Sequence, residues 1–192
     1  MRCGRARASL WKAGRAASVG QTLRGPTMLS KKLQDALNAQ INLELASSYI
    51  YLSMSAWFEA QNLPGSAAWM RKQAAEENAH AMKIFDFVND CDGAVTLGSL
   101  AAPPAAYKGI QDVWTRALAH EKKVTASVAK LMGLAVSEKD YATQALMQWF
   151  ATEQVEEEKT ARQILEEVKK IGEHSTAIFF LDRHLGKAAG KE

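Results

Sequence analysis

Apolar residues recur at steps of three and four along four long segments of the chain, a spacing that predicts helices. Leu33, Leu37, Ile41, Leu45 and Leu52 form the first stripe, which predicts a helix from about Ser30 to Gln61. Asn62-Leu63-Pro64-Gly65 interrupts it, and Pro64 suits the first turn of a second helix that continues to about Asp90. Residues 91–109, CDGAVTLGSLAAPPAAYKG, are too long for a tight turn and read as a crossover between helices lying in the same direction. A third helix is expected from about Ile110 to Leu134. Ser137 with Asp140 resembles a capping box, with Asp in place of the usual Glu, and opens a fourth helix that ends at Ile171 before Gly172. A short fifth helix, about Thr176 to Leu185, carries Ile178, Phe179, Phe180 and Leu181. No useful β alternation and no internal repeat is present. The pattern predicts an all-α four-helix bundle with a long crossover between helices 2 and 3 and a short C-terminal helix.

Extending each stripe brings acids onto the inward face. Leu33, Leu37 and Ile41 lead to Glu44, Ser48 and Tyr51. Met70 and Gln73 lead to Glu77, His80, Ile84, Phe87 and Cys91, while Trp114 and Ala117 lead to Glu121, Val124, Val128 and Leu131. Leu146 and Phe150 lead to Glu153, Glu157, Thr160 and Ile164. An ionised carboxylate buried alone costs many kcal/mol, so it neutralises, pairs or binds metal. The stripes offer no Lys or Arg at the matching level. The counter-charge must come from outside the chain, and divalent metal supplies it most economically. Glu77 and His80 are an i, i+3 pair on one helix face, a spacing that lets two ligands converge on one ion or a bridged pair. Glu44, Glu77, Glu121 and Glu157 bring four negative charges, which two divalent ions would balance. Oxygen-rich ligation with one imidazole suits iron or manganese better than structural zinc. Hard anionic oxygens also favour Fe(III) over Fe(II), and so favour oxidation.

Charge and composition change this picture only at the N-terminus. The net charge is +3, but residues 1–27 hold six basic residues and no acid, so the remaining chain is net acidic. The overall basic balance therefore carries no nucleic-acid inference. The Arg-, Ala- and Ser-rich segment 1–27 has the composition of an organelle transit peptide, for a plastid or mitochondrion. Its rival is an upstream translation start, with Met28 the true one and a cytoplasmic location. Either way 1–27 is expected to lie outside a single domain spanning 28–192. No apolar run is long enough for a transmembrane helix. Apart from Cys3 in that extension, Cys91 stands alone, so the fold needs no intrachain disulfide.

Over residues 28–192 the chain resembles a bacterial-type non-haem ferritin of the diiron-carboxylate superfamily. The resemblance rests on ELASSYIYLSM (Glu44, Tyr51), EENAH (Glu76, Glu77, His80), HEKK (Glu121) and EQVEEEK (Glu153, Gln154, Glu156, Glu157), in order and at matching spacing. It implies a ferritin-like bundle and an iron-storage ferroxidase that oxidises Fe(II) with O2 or peroxide at a dinuclear site. It also implies that Glu44, Glu77 and His80 hold one iron, and Glu77, Glu121 and Glu157 the second. Gln154 lies where the family often has a second-site or nearby polar residue, and Glu76, Glu153, Glu156 and Glu157 resemble a third iron site. Tyr51, counted among the catalytic residues, and Trp149 match aromatics beside the diiron centre, where they either supply an electron or pack and hydrogen-bond. The implied assembly is a hollow homo-oligomer of 24 subunits, with the fifth helix at the four-fold contacts and no membrane or nucleic-acid partner. The fourth helix reads Gln154-x-x-Glu157 rather than a second Glu-x-x-His, and Asn78 stands where bacterioferritins place a haem-ligating Met, so no haem is expected.

Other readings compete. Taken alone, EQVEEEK is a solvated helix face, and Glu158 with Lys159 fits that description. His120, His174 and His184 read as structural, and Trp57, Trp69 and Trp114 as core or subunit contacts. A non-storage diiron oxidase or peroxidase would use the same ligands in a small protein. A metal-free bundle would require the acids to point outward or pair with bases. A DNA-protecting mini-ferritin fits poorly, because the fifth helix and a ligand set within one subunit both argue against it.

Overall fold

The computed structural model describes residues 29–172 and 174–190; the basic extension expected to lie apart from the domain falls outside them. The described residues form α1 (Lys31–Ala60), α2 (Pro64–Asp90), α3 (Ile110–Glu138), α4 (Tyr141–Ile171) and α5 (Ser175–Ala189), with no strand among them. The all-α bundle with its long α2–α3 crossover and short fifth helix is thus as the pattern predicted. Among the described residues no helix is long and apolar enough to cross a membrane.

Local chemistry sets the helix ends. Ser30, extended at φ −62°, accepts the Leu33 N–H at 3.1 Å and opens α1. The α3–α4 boundary differs from the sequence reading. Ser137 does not cap α4; it lies in the last turn of α3, where its hydroxyl donates to the Leu134 carbonyl at 2.8 Å. Lys139 takes the left-handed conformation (φ 57°) that ends α3, and Asp140 caps α4 by accepting the Thr143 N–H at 2.8 Å. Helix formers continue through Glu138, so α3 runs one turn further than the polar residues indicated.

The crossover is held by a row of amides on α1. Gln34, Asn38 and Asn42, spaced one turn apart, share one face of the helix. Gln34 accepts the Ala94 N–H (2.8 Å), Asn38 accepts from Thr96 and donates to the Ala94 carbonyl, and Asn42 accepts the Gly98 N–H (2.8 Å). Further along, Ser53 donates to the Pro104 carbonyl and Tyr107 packs edge-on against Trp57. The segment therefore runs alongside α1 in the same direction, with much of its backbone satisfied by side chains, as an extended strap must be.

α5 closes one end of the bundle and lies mainly against α2. The first turn of α2 has no cap of its own, because Leu63 offers none. Asp182 of α5 supplies it, accepting from the Gly65 and Ser66 N–H groups (3.1 and 2.7 Å) and from the Ser66 hydroxyl (2.8 Å). Gly65 is required here, since a Cβ would stand 1.9 Å from the Asp182 carbonyl oxygen. Leu181 and Leu185 are buried beside Asp182, whereas Phe179 and Phe180 are 55% and 65% exposed.

The bundle has two apolar cores. One gathers Met54, Phe58, Trp69, Met70, Trp114 and Leu165 near α5. The other gathers Leu37, Ile41, Ile84, Val128, Met147 and Phe150 at the opposite end. Between them every long helix changes from apolar to polar: Glu44 after Ile41, Glu77 and His80 after Ala74, Glu121 after Ala117, and Gln154 after Phe150, all buried. A polar layer of this kind is costly unless something balances it.

Candidate metal centre

Helical register brings each polar residue to the inward side, and packing selects among the candidates. A step of three or four from the last core residue keeps the side chain on the inward face. Glu44 and Glu121 are 0% exposed, Glu77 2% and His80 7%. Glu44, Glu77 and His80 each aim one ligand atom at a common point, with those atoms within 4.8 Å of one another. Nδ1 of His80 lies 3.7 Å from Oε2 of Glu77. The imidazole is held edge-on by Trp149 and Phe150, at centroid distances of 5.5 and 5.7 Å. Trp149 is 39% exposed and carries Lys83 over its outer face.

The other predicted residues surround this triad. Tyr51 is buried and donates its hydroxyl to Oε1 of Glu121. Gln154 donates its amide to Oε2 of Glu121 at 3.3 Å and lies equally close to the Thr125 hydroxyl. Glu157 is half-buried and accepts from the Gln73 amide at 3.0 Å. Glu121 and Glu157 thus line the same polar layer but stand outside the tight triad. Glu76 and Glu153 are half-buried and Glu156 is exposed. Lys72 lies 3.7 Å from Glu76 at the partly exposed rim. Glu158, read as part of a solvated face, is half-buried and pairs with Arg162 at 3.4 Å.

One stripe assignment is corrected. The buried face of α4 passes through Met147, Phe150, Gln154, Ala161 and Ile164, not through Glu153. Steps of three and four from Phe150 are both helical, and the packing selects four. Similarly Leu45 is half-buried and Leu52 44% exposed, because α1 turns Ser47 and Met54 inward instead. His120, read as structural, is half-buried and shares a 2.7 Å hydrogen bond with the Ser47 hydroxyl. Burial, with Lys123 adding, lowers its pKa to about 4. Trp69 and Trp114 are core residues and Trp57 is half-buried. Sequence reasoning passed over Gln40, which is 1% exposed and donates to Oε1 of Glu44 at 2.8 Å. Its position one turn before Glu44 on the same stripe was the available signal.

The electrostatics state what the site lacks. Oε2 of Glu44 and Oε2 of Glu77 are buried with no hydrogen-bond partner. Burial, and then the charge of Glu77, raises the Glu44 pKa to about 8. Burial, and then Glu121 and Glu76, raises that of Glu157 to about 7. Glu77 and Glu121 are also pushed up, chiefly by burial, and the Tyr51 phenol rises for the same reason. A cation at the triad would satisfy both orphaned oxygens and reverse these shifts. Two carboxylates and one imidazole, with more carboxylates beside them, match the donor preferences of iron and manganese.

The comparisons with known proteins agree with this geometry. The family description "Ferritin-like domain" matches residues 34–171. The chain is 37% identical over 164 residues to a probable bacterial non-haem ferritin-like protein of Haemophilus influenzae, covering 85% of this chain and 99% of that one. It is 39% identical over 160 residues to a bacterial non-haem ferritin of Bacteroides fragilis, covering 83% and 99%. An open-pore ferritin of the hyperthermophilic archaeon Archaeoglobus fulgidus superposes with a TM-score of 0.82 at 42% identity, over 82% of this chain and 98% of that one.

Proposed function

Because this chain belongs to the bacterial-type non-haem ferritins of the diiron-carboxylate superfamily, a family of ferroxidase-type iron-storage proteins, we propose the following division of labour for its residues. Glu44, Glu77 and His80 hold the first Fe(II). Glu77, Glu121 and Glu157 hold the second, with Gln154 beside it. Glu76, Glu153 and Glu156, with Glu157, form an outer iron site at the end of this acidic row. Each Fe(II) gives up one electron to the oxidant, O2 or peroxide. The Fe(III) products then leave as mineral precursor for storage inside a homo-oligomeric cage of 24 subunits.

The observation that carries this reading is the buried Glu44–Glu77–His80 triad, whose two carboxylate oxygens, Oε2 of Glu44 and Oε2 of Glu77, have no hydrogen-bond partner. Iron is the substrate and cargo here, so the protein's own contribution is charge and position. The protonated carboxylates must lose protons as Fe(II) enters. The surrounding apolar cores keep water from competing for the ligands, and Trp149 and Phe150 fix the plane of His80. Tyr51, bonded to Glu121, holds that carboxylate.

Aerobic loading of metal-free protein with excess Fe(II), followed by size-exclusion chromatography with iron detection, tests the proposal. Rapid oxidation, with iron co-eluting with a particle far larger than one 21.0 kDa chain, is the expected result. A couple of irons per chain retained on a small species would favour a non-storage diiron oxidase. No bound iron would remove the site assignment altogether.

A further inference from the structure

We propose that Gln40, itself held by Ser127, is a positioning residue that makes Glu44 a one-oxygen ligand aimed at the first metal position. The proposal rests on the reading of Glu44 as a ligand. A glutamine buried as deeply as Gln40 must use both ends of its amide or bear a desolvation cost. Both ends are used. Its Nε2 donates to Oε1 of Glu44 at 2.8 Å, and its Oε1 accepts from the Ser127 hydroxyl at 2.5 Å. The two bonds act together. An ionised carboxylate can only accept, so the NH2 end of the amide faces Glu44, and the Ser127 hydroxyl anchors the carbonyl end by donating to it. Oε1 of Glu44 is therefore occupied, and Oε2, buried without a partner, is the atom left to offer.

The arrangement links two helices beside the site. Gln40 and Glu44 are one turn apart on α1, and Ser127 stands on α3. A relay of this kind resists rotation of the carboxylate toward two-oxygen binding. A neutral amide also leaves the carboxylate's charge intact, whereas Lys or Arg would compete with the cation. The chain uses the same chemistry at Glu157, through Gln73, and at Glu121, through Gln154. Gln40 differs in being locked from behind by a residue that touches neither Glu44 nor the metal position.

Anaerobic titration of the metal-free full chain with Co(II), following the d–d absorption, separates this role from simple packing. Gln40→Met keeps the shape and loses the amide. It should weaken the first Co(II) step by about tenfold or more and alter the band shape, as loss of an outer partner does at other metal sites. Ser127→Ala should weaken it in the same direction, by less. The double variant should be no weaker than Gln40→Met alone, since the relay acts only through Gln40. Unchanged affinity and spectrum in Gln40→Met, or Ser127→Ala adding its full effect to it, would overturn the proposal. If Gln40→Met does not fold, Ser127→Ala decides alone: an unchanged affinity and spectrum would sink the idea. Glu44→Ala serves as the control. If it too binds normally, the metal-site reading itself has failed; if it loses the step while Gln40→Met does not, only the relay has.

Discussion

The residues of the centre are unstable together, and that instability is how they hold metal. Burial raises the pKa of Glu44, Glu77, Glu121 and Glu157 in a layer that water scarcely reaches, and neighbouring carboxylates add to it: Glu77 at Glu44, and Glu121 at Glu77 and Glu157. In metal-free protein the folded pKa of Glu44, about 8, and of Glu157, about 7, both exceed the ordinary 4.5. Between these values the folded chain binds protons that the unfolded chain has released, so stability falls as pH rises through the window from about 4.5 to 8. Denaturation midpoints of metal-free protein should therefore decrease across that range, and Glu44→Gln, neutral at every pH, should flatten the slope. The same protons must leave when Fe(II) binds. Anaerobic loading in weak buffer near neutral pH should release them, and the Glu77→Ala, Glu157→Ala double variant should release fewer. In the proposed assignment Glu77 serves both metal positions, so Glu77→Ala alone should slow Fe(II) oxidation by about tenfold or more, read from the rise of Fe(III) absorbance at two irons per chain. An unchanged rate would exclude Glu77 from the centre.

At the scale of elements, the fold depends on polar contacts reaching between segments distant in sequence. Asp182 lies more than a hundred residues from the α2 turn it caps. Asp182→Ala should cost about 2 kcal/mol, from a lost cap and stranded N–H groups. Chemical denaturation measures the loss, and amide exchange should quicken first in α5 and the start of α2. Nothing in the local pattern announced this contact. Pro64 marked where α2 begins, but its cap comes from another element. The amide row Gln34, Asn38 and Asn42 is similar: helical spacing was visible, yet three polar residues at that spacing usually describe a solvated face. Only the path of residues 91–109 along α1 turns them into a clip. The Ser137 misreading has the same source, since both Ser and Asp are good N-caps and the choice between them depended on where Lys139 could turn.

At the scale of the molecule, the two apolar cores act as clamps on either side of the polar layer, so the charged centre can be strained without melting the bundle. Exposed apolar side chains remain on the outside: Tyr49 and Leu52 on α1, Leu97 and Leu100 on the crossover beside it, and Phe179 and Phe180 on α5. Isolated exposed residues need no explanation, but neighbouring aromatics on a terminal helix invite a partner. In the proposed cage that partner is another copy of the chain. Phe180→Asp should then lower the native mass measured by light scattering while leaving helical circular dichroism intact. A full-sized assembly in that variant would place the contact elsewhere.

The sequence by itself determined the helices, the crossover and the level of the acids, because helical periodicity is a property of consecutive residues and a carboxylate on an apolar stripe is visible without coordinates. It therefore carried the family and the principal candidate ligands, Glu44, Glu77 and His80. Only the tertiary structure decided which carboxylates close to within ligand distance of one another, that Gln154 rather than Glu153 faces inward, and that Gln40, Ser127 and Asp182 serve groups on other turns and helices. Those facts depend on how helices rotate and pack against one another, and a rotation of one residue's worth about a helix axis leaves the periodicity unchanged while exchanging which side chain meets the core.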